Sequence, residues 1–457
     1  MIIYFFDLVI VAIACLTLYD YRKGFFAIFC SKLLLPSSIR LVIGSLNIDA
    51  QNILHFVLIA SFILHFGFKH MKLPKSIKTA FMMYAFIALL LILLSSAVVP
   101  YAYQLDMYLK RLLLIDVIYV FIGMCAFQQI SSVKYQKVII YISIVIGIYG
   151  IFTYFIKQNP YVTTMSLLYF NEEDEFSYFM NEVRGGIEGR IAGTLGHPLS
   201  WGQYWSLILP AFLLVRKRFS KIVVFTFVPL ALANVFLCGS RTALIALVIF
   251  FIIYLGNLHL KYKIYTIVIS LFASVTLLTA NFKNQNLVAT QKYIESIVFF
   301  WHDSKDVQIV GSSKNMRSEQ FEETLRILSY NPIAGIGYNY LDYSQKKSIS
   351  TKLLGLESVF MRELVEQGIV GLLNFLLLFC SLAKYYLKRY RKEKVWIIAY
   401  FTSYFIAISI TGIQGISWPV FVLLPMLFCI ERDSHIEGDF RVINMYKENK
   451  SKSIWKK

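Results

Sequence analysis

Six residues have types and surroundings that suit one kind of chemistry: holding a phosphate-bearing ligand and moving a proton. Arg241 sits in Cys238-Gly-Ser-Arg-Thr-Ala-Leu244, a very short turn between two apolar runs. A charge at such a junction must reach water, a lipid headgroup or a ligand. A guanidinium fork matches phosphate oxygens two at a time; snorkelling to lipid phosphate is the competing reading. Arg190 opens a polar, glycine-bearing stretch, Arg190-Ile-Ala-Gly-Thr-Leu-Gly-His-Pro-Leu-Ser-Trp-Gly-Gln-Tyr204, and Arg184 precedes it in Arg184-Gly-Gly-Ile-Glu-Gly-Arg190. His197 stands directly before Pro198, where it reads either as a helix cap or as a proton-transfer group. Arg317 lies with Arg326 in a segment of helical spacing, and a solvated polar face is the plainer reading there. Glu357 opens an apolar run that carries Arg362, Glu363 and Glu366 within its next ten residues. It reads as a general base or a substrate-orienting carboxylate, against an acid that merely gains from a helix N-terminus. Arg362 and Glu366, four apart, read as a structural pair.

The elements that must position these residues are membrane helices. Of 457 residues, 58% are hydrophobic and only 16% are charged, against about 25% charged in soluble chains. The mean hydropathy is +0.62. These values exclude a soluble enzyme, a secreted domain, a disordered chain and a coiled coil. Apolar runs of membrane-crossing length fall near 2–19, 25–46, 52–68, 79–99, 112–127, 138–156, 199–215, 222–238, 242–257, 264–280, 357–383, 395–412 and 415–431. The second is interrupted by Lys32, Pro36, Ser37, Ser38 and Arg40. The chain therefore reads as an all-α polytopic membrane protein of about 12 to 13 transmembrane helices. Its parts are transmembrane helices over 1–157, a loop over 158–198, central transmembrane helices over 199–280, a long loop over 281–356, C-terminal transmembrane helices over 357–431 and a basic tail over 432–457.

Charge sets the orientation. Lys and Arg exceed Asp and Glu by 18, and the basic clusters occupy alternate loops, as the positive-inside rule requires. The two long loops are then extracytoplasmic, and the N-terminus is outside with 13 spans or inside with 12. Within the second loop, Phe321, Leu325 and Leu328 recur at helical spacing, which predicts an amphipathic helix from Asn315 to Tyr330 near the membrane surface. Asn331-Pro332 stops it, and Ala334-Gly-Ile-Gly-Tyr338 makes a tight turn. Mid-membrane charge is sparse, with Asp7 and Asp116 the main exceptions. That places the chemistry at the outer face and favours an enzyme or receptor over a coupled carrier.

Several chemistries find no support. The acidic run Glu172 to Glu175 reads as a solvated loop rather than a cation site. The six cysteines all sit in apolar runs without a C-x-x-C pair, so neither a disulfide framework nor a zinc site is expected. Phosphate-loop, serine-hydrolase, zinc-protease and dinucleotide motifs are absent. No basic domain or aromatic–basic pattern supports nucleic-acid binding.

Taken together, Arg190-x-x-Gly193-Thr194-x-x-His197-Pro198, Ser240-Arg241, Arg317, Pro332-Ile-x-Gly335-Ile-Gly337 and Glu366-Gln-Gly-Ile-Val-Gly371-Leu372 resemble the O-antigen ligase and polymerase superfamily. Its members are Wzy-type polysaccharide polymerases and WaaL-type ligases. The resemblance implies a GT-C-like glycosyltransferase, free of cofactor and metal, at the outer face of a bacterial plasma membrane. Its substrate would be an undecaprenyl-pyrophosphate-linked glycan held beside membrane lipid. A chain-length regulator and a flippase of the same pathway would be its partners. The chemistry of the residues fits independently: Arg184, Arg190, Arg241 and Arg317 are expected to hold the pyrophosphate and glycan, and Glu357, preferred over His197, to accept the acceptor hydroxyl proton. Ligases of the family carry a histidine where this chain has Glu357, so the polymerase is the expected activity, ahead of a ligase or a lipid-linked sugar transporter.

Overall fold

The computed structural model describes residues 2–35, 39–43, 46–66, 73–96, 98–130, 133–170, 183–184, 187–257, 314–347, 349, 353, 355–413 and 415–429. The acidic run at 172–175, the 264–280 run and the 432–457 tail lie outside them.

The described chain is a helical bundle. Its elements are α1 (Ile2–Tyr19), α2 (Tyr21–Leu34), β1 (Arg40–Ile43), β2 (Leu46–Asp49), α3 (Ala50–Phe66), α4 (Lys75–Leu94), α5 (Tyr101–Ile130), α6 (Val133–Ile156), α7 (Pro160–Phe170), β3 (Val183–Arg184), β4 (Ile187–Glu188), α8 (Pro198–Val215), α9 (Lys221–Leu237), α10 (Arg241–Leu255), α11 (Lys314–Leu328), α12 (Tyr340–Lys346), α13 (Val359–Arg389), α14 (Lys394–Ile410) and α15 (Ser417–Phe428). Among the described residues, five helices are long and apolar enough to cross a membrane: α4, α5, α6, α13 and the one spanning Arg391–Ile410. Five further apolar helices among the described residues are shorter. The chain is thus an all-α, multi-pass membrane protein.

The centre is α8. Every residue from Pro198 to Phe212 is buried, which is how a helix apolar on all sides must sit. Small residues let its neighbours approach, as at helix interfaces in membranes generally. A Cβ on Gly147 of α6 would meet the Trp205 ring at 2.7 Å, and one on Gly150 would meet Trp201 at 2.8 Å. Asn234 of α9 ties three helices: its Oδ1 accepts from Trp201 Nε1 at 3.0 Å, and its Nδ2 donates to the Gly147 carbonyl at 3.1 Å.

Three elements differ from the sequence expectation. The 25–46 run is not one span. Its helix stops at Leu34, two residues before Pro36, and the chain then pairs Arg40 with Asp49 in an antiparallel hairpin. Proline cannot extend the ladder, and the residue before it is pushed out of the helical region. The expected 112–127 span is the middle of a longer helix, and residues Tyr108–Tyr119 of it are π-wound. The span beginning at 357 is broken at Gly368 (φ 68°, ψ −167°). There the turn at 332–337 pairs its backbone with the opened helix. Ile336 N donates to Val365 O at 3.0 Å, Gly337 N to Glu366 O at 3.2 Å, and Ile369 N to Pro332 O at 2.9 Å. Freed backbone groups at membrane depth are satisfied only where protein covers them, and this turn covers them.

On α11, Gln320, Thr324 and Ile327 face inward, while Phe321 and Leu325 are exposed. The helix therefore packs through its mixed face and leaves the apolar pair outward.

Candidate active site

The polar heart of the molecule is a cavity of about 370 Å³ at one end of the bundle. Charged groups from four separate segments line it: Lys32 of α2, Asp49 at the end of β2, Arg111 and Asp116 of α5, and Arg362, Glu363 and Glu366 of α13. Thr194 and Ser200, beside the start of α8, complete the wall opposite.

The π-winding of α5 brings two of these charges together. In an α-helix, residues five apart point about 140° away from each other at 100° per residue. Bonding from i to i+5 widens the turn, so Arg111, Leu112, Ile115 and Asp116 all reach the same cavity. On α13, Ser358 caps the helix by accepting from Met361 N. Arg362, Glu363 and Glu366 then occupy its first two turns, ahead of the break at Gly368.

An ion network joins the two helices. Asp342 of α12 accepts from Arg111 Nη1 at 2.8 Å through one oxygen and from Arg362 Nη2 at 2.6 Å through the other. Arg362 Nε donates to Glu366 Oε1 at 3.3 Å. Glu366 is nearly buried, at 6% side-chain exposure, and it also accepts the backbone N–H groups of Asn339 and Leu341. Asn339 adopts φ 60°, which an asparagine tolerates, and its Oδ1 accepts from Arg111 at 3.3 Å. Gln367 Nε2 donates to Glu363 Oε2 at 2.6 Å. Burial works to raise the Asp342 carboxyl, but Arg362 and Arg111 outweigh it and hold it below the usual carboxylate value. Burial pushes the Tyr338 phenol up, so it stays neutral beside the cavity. Lys32 Nζ lies 4.3 Å from the centre of the Tyr119 ring, a cation–π contact.

Such an arrangement can cradle an anion and accept a proton. Two guanidiniums from different helices present donors at one wall, and carboxylates that hydrogen-bond or ionise stand near them. A carboxylate as enclosed as Glu366 is costly to keep ionised without such partners.

The sequence-predicted residues lie around this cavity rather than in it. Arg190 is 1% exposed and donates from Nε to the Cys238 carbonyl at 3.0 Å. That bond brings its stretch against the Cys238–Arg241 turn, where Ser240 caps α10 and Arg241 is its first residue. His197 caps α8, with Nδ1 accepting from Leu199 N at 3.1 Å. Glu357 accepts from Thr411 Oγ1 at 3.0 Å. Arg317 is exposed on α11, and Arg184 is in β3, with its side chain outside the described residues. The Arg190 and Arg241 segments thus meet, and the turn also lies against α8, where a Cβ on Gly202 would come within 3.0 Å of Ser240 Cβ. None of Arg190, His197, Arg241, Arg317 and Glu357 lines the cavity.

The residues that do line it were visible but undervalued in the sequence. Asp116 stood out as mid-span charge. Arg362 and Glu366 looked like an ordinary helix pair, and so they are, but with Asp342 as a third member. Lys32 registered only as an interruption of an apolar run. Arg111 and Glu363 belong to no motif, and neither does Asp342, which stands behind the cavity wall and pairs with Arg111 and Arg362.

Residues 225–376 match the model of a family described as O-Antigen ligase. This segment runs from within α9 to the middle of α13 and includes Arg241, Arg317, Glu357, Asp342, Arg362 and Glu363. No curated protein matches the chain. The match covers about a third of the sequence.

Proposed function

We propose that this protein is a GT-C-like polysaccharide polymerase. It joins undecaprenyl-pyrophosphate-linked repeat units at the outer face of a bacterial plasma membrane, for an O-antigen, capsule or exopolysaccharide. A hydroxyl of the acceptor glycan attacks the anomeric carbon of the donor. The bond from that carbon to the pyrophosphate oxygen breaks, and the lipid pyrophosphate leaves as an anion. Arg111 and Arg362 hold the pyrophosphate and stabilise the charge that develops on it. Glu363, on the same cavity wall, accepts the proton from the attacking hydroxyl. In this reading Glu363 takes the role that sequence alone gave to Glu357 or His197. Arg184, Arg190, Arg241 and Arg317 serve the glycan and the donor's approach rather than the reacting pyrophosphate. The observation that carries the reading is the meeting of Arg111 and Arg362 at one cavity that also holds Glu363.

The ligase reading draws on the family's printed description. Against it stands Glu357 at the position where ligases of the family carry histidine. One experiment separates the two. The gene is deleted, and surface and lipid-linked glycans are extracted. Single repeat units without long polymer mean a polymerase; long polymer left on the carrier lipid means a ligase. Complementation with Glu363→Gln, an isostere that keeps the Gln367 contact, is expected to cut polymer formation by about 10²- to 10⁴-fold at normal protein level. Wild-type polymer from that variant removes Glu363 from the reaction.

A further inference from the structure

Asp342 does not line the cavity, yet it is the group on which both cavity guanidiniums converge. Each of its oxygens takes one arginine, so a single rigid carboxylate fixes the separation between side chains carried by α5 and α13. We propose that Asp342 is a positioning residue: it holds Arg111 and Arg362 at the spacing at which both address one pyrophosphate.

Docking of α12 does not explain this contact. That short helix is already fastened by the Glu366 carboxylate, which takes the N–H groups of Asn339 and Leu341. Asn339 Nδ2 donates to the Tyr103 hydroxyl at 3.2 Å, and the Tyr103 and Tyr343 rings pack with centres 5.2 Å apart. Asp342 is left to the arginines. Without its carboxylate no group bridges the two guanidiniums, and each keeps a separate partner, Glu366 for Arg362 and Asn339 Oδ1 for Arg111. The two would part toward those partners. Both side chains keep contact with solvent, at 44% for Arg111 and 26% for Arg362. Their other donors are therefore not enclosed by this network. Bidentate clamps of this kind gain their power from preset geometry, and a displacement of about 1 Å can cost roughly 100-fold.

The inference rests on the proposed pyrophosphate role of the two arginines, and the test keeps the two ideas apart. The full chain in nanodiscs is titrated with undecaprenyl pyrophosphate, as wild type, Asp342→Asn, Asp342→Glu, Arg111→Ala and Arg111→Ala/Asp342→Asn. Thermal midpoints are recorded alongside as a check on folding. Asp342→Asn is expected to weaken binding about tenfold, and Asp342→Glu to recover part of the loss. In the Arg111→Ala background the same Asp342→Asn change should cost less than half as much on a logarithmic scale, because residues acting as a unit are not additive. Wild-type affinity in Asp342→Asn, or a full additive loss in the double variant, overturns the positioning role alone. Wild-type affinity in Arg111→Ala overturns the pyrophosphate reading itself and takes the positioning role with it.

Discussion

At the residue scale, the network answers to pH through Asp342. Its carboxyl is held below the ordinary value of 3.8 by two guanidiniums. A group whose folded pKa is depressed contributes stability that is fully present above its unfolded value and is lost as pH falls through the folded one. The link between α5 and α13 is therefore constant from neutral pH down to about 4 and fails only below it. Thermal midpoints of wild type and Asp342→Asn measured across that range should differ by a fixed amount from pH 8 to pH 5, and converge below pH 4. Convergence already at pH 6 would mean that another group governs the link. The sequence points to arginines and carboxylates, and the cavity is lined by other arginines and carboxylates than those its motifs single out. Arg190 and His197 have motif-like surroundings because they build turns and caps. Arg111 and Asp342 have none, because their pairing depends on a π-wound turn and on a contact between segments 231 residues apart. Neither can be read from local spacing.

At the element scale, the decisive feature is the break in α13. The two glycine-bearing motifs at 332–337 and 366–371 are the two halves of one backbone joint. A Cβ on Gly368 would lie 2.4 Å from the Ile333 carbonyl oxygen, and one on Gly335 would lie 2.6 Å from the Glu366 carbonyl carbon. Both glycines also have positive φ, 68° and 69°. Gly355 supplies the control: φ is 75°, but nothing stands within 4 Å of its added Cβ. Gly355→Ala should then cost only the left-handed strain of about 1–2 kcal/mol. Gly368→Ala and Gly335→Ala must in addition push backbone away from backbone, and should lower the thermal midpoint clearly further. Equal shifts at all three positions would show that the joint has room to open. The sequence displayed both motifs and the turn at 334–338. It concealed that the turn fills a broken helix, since Glu366-Gln-Gly-Ile-Val-Gly371 also reads as unbroken apolar helix. The hairpin at 40–49 was half legible in the same way: Pro36 and Arg40 marked an interruption, but not which structure replaced the span.

At the scale of the whole molecule, the cavity and the described basic residues at 134, 137 and 216–221 occupy opposite ends of the bundle. Arg218 donates to Gln136 Oε1 at 2.8 Å, and Gln136 Nε2 donates to the Leu427 carbonyl at 2.7 Å. The 216–221 cluster, the start of α6 with Lys134 and Lys137, and the end of α15 therefore share one end. The start of α8, the start of α13 and the 411–416 segment share the other, tied by Gln203 Nε2 to the Gly412 carbonyl at 2.6 Å and by Thr411 to Glu357. Basic clusters such as these orient a membrane protein, because Lys and Arg resist transfer across the bilayer. The basic end should face the cytoplasm and the cavity the exterior, where a carrier-linked glycan is presented. Single cysteines test this directly. With the exposed Cys15 and Cys380 replaced by serine, Ser329→Cys reports on the cavity end and Ser220→Cys on the basic end; both positions are exposed. A membrane-impermeant maleimide added to intact cells, or to spheroplasts if an outer membrane is present, should label position 329 and spare position 220 until the cells are broken. The reverse pattern would open the cavity to the cytoplasm. Chain growth at the outer face would then be impossible for this site, and the polymerase assignment would fall with it.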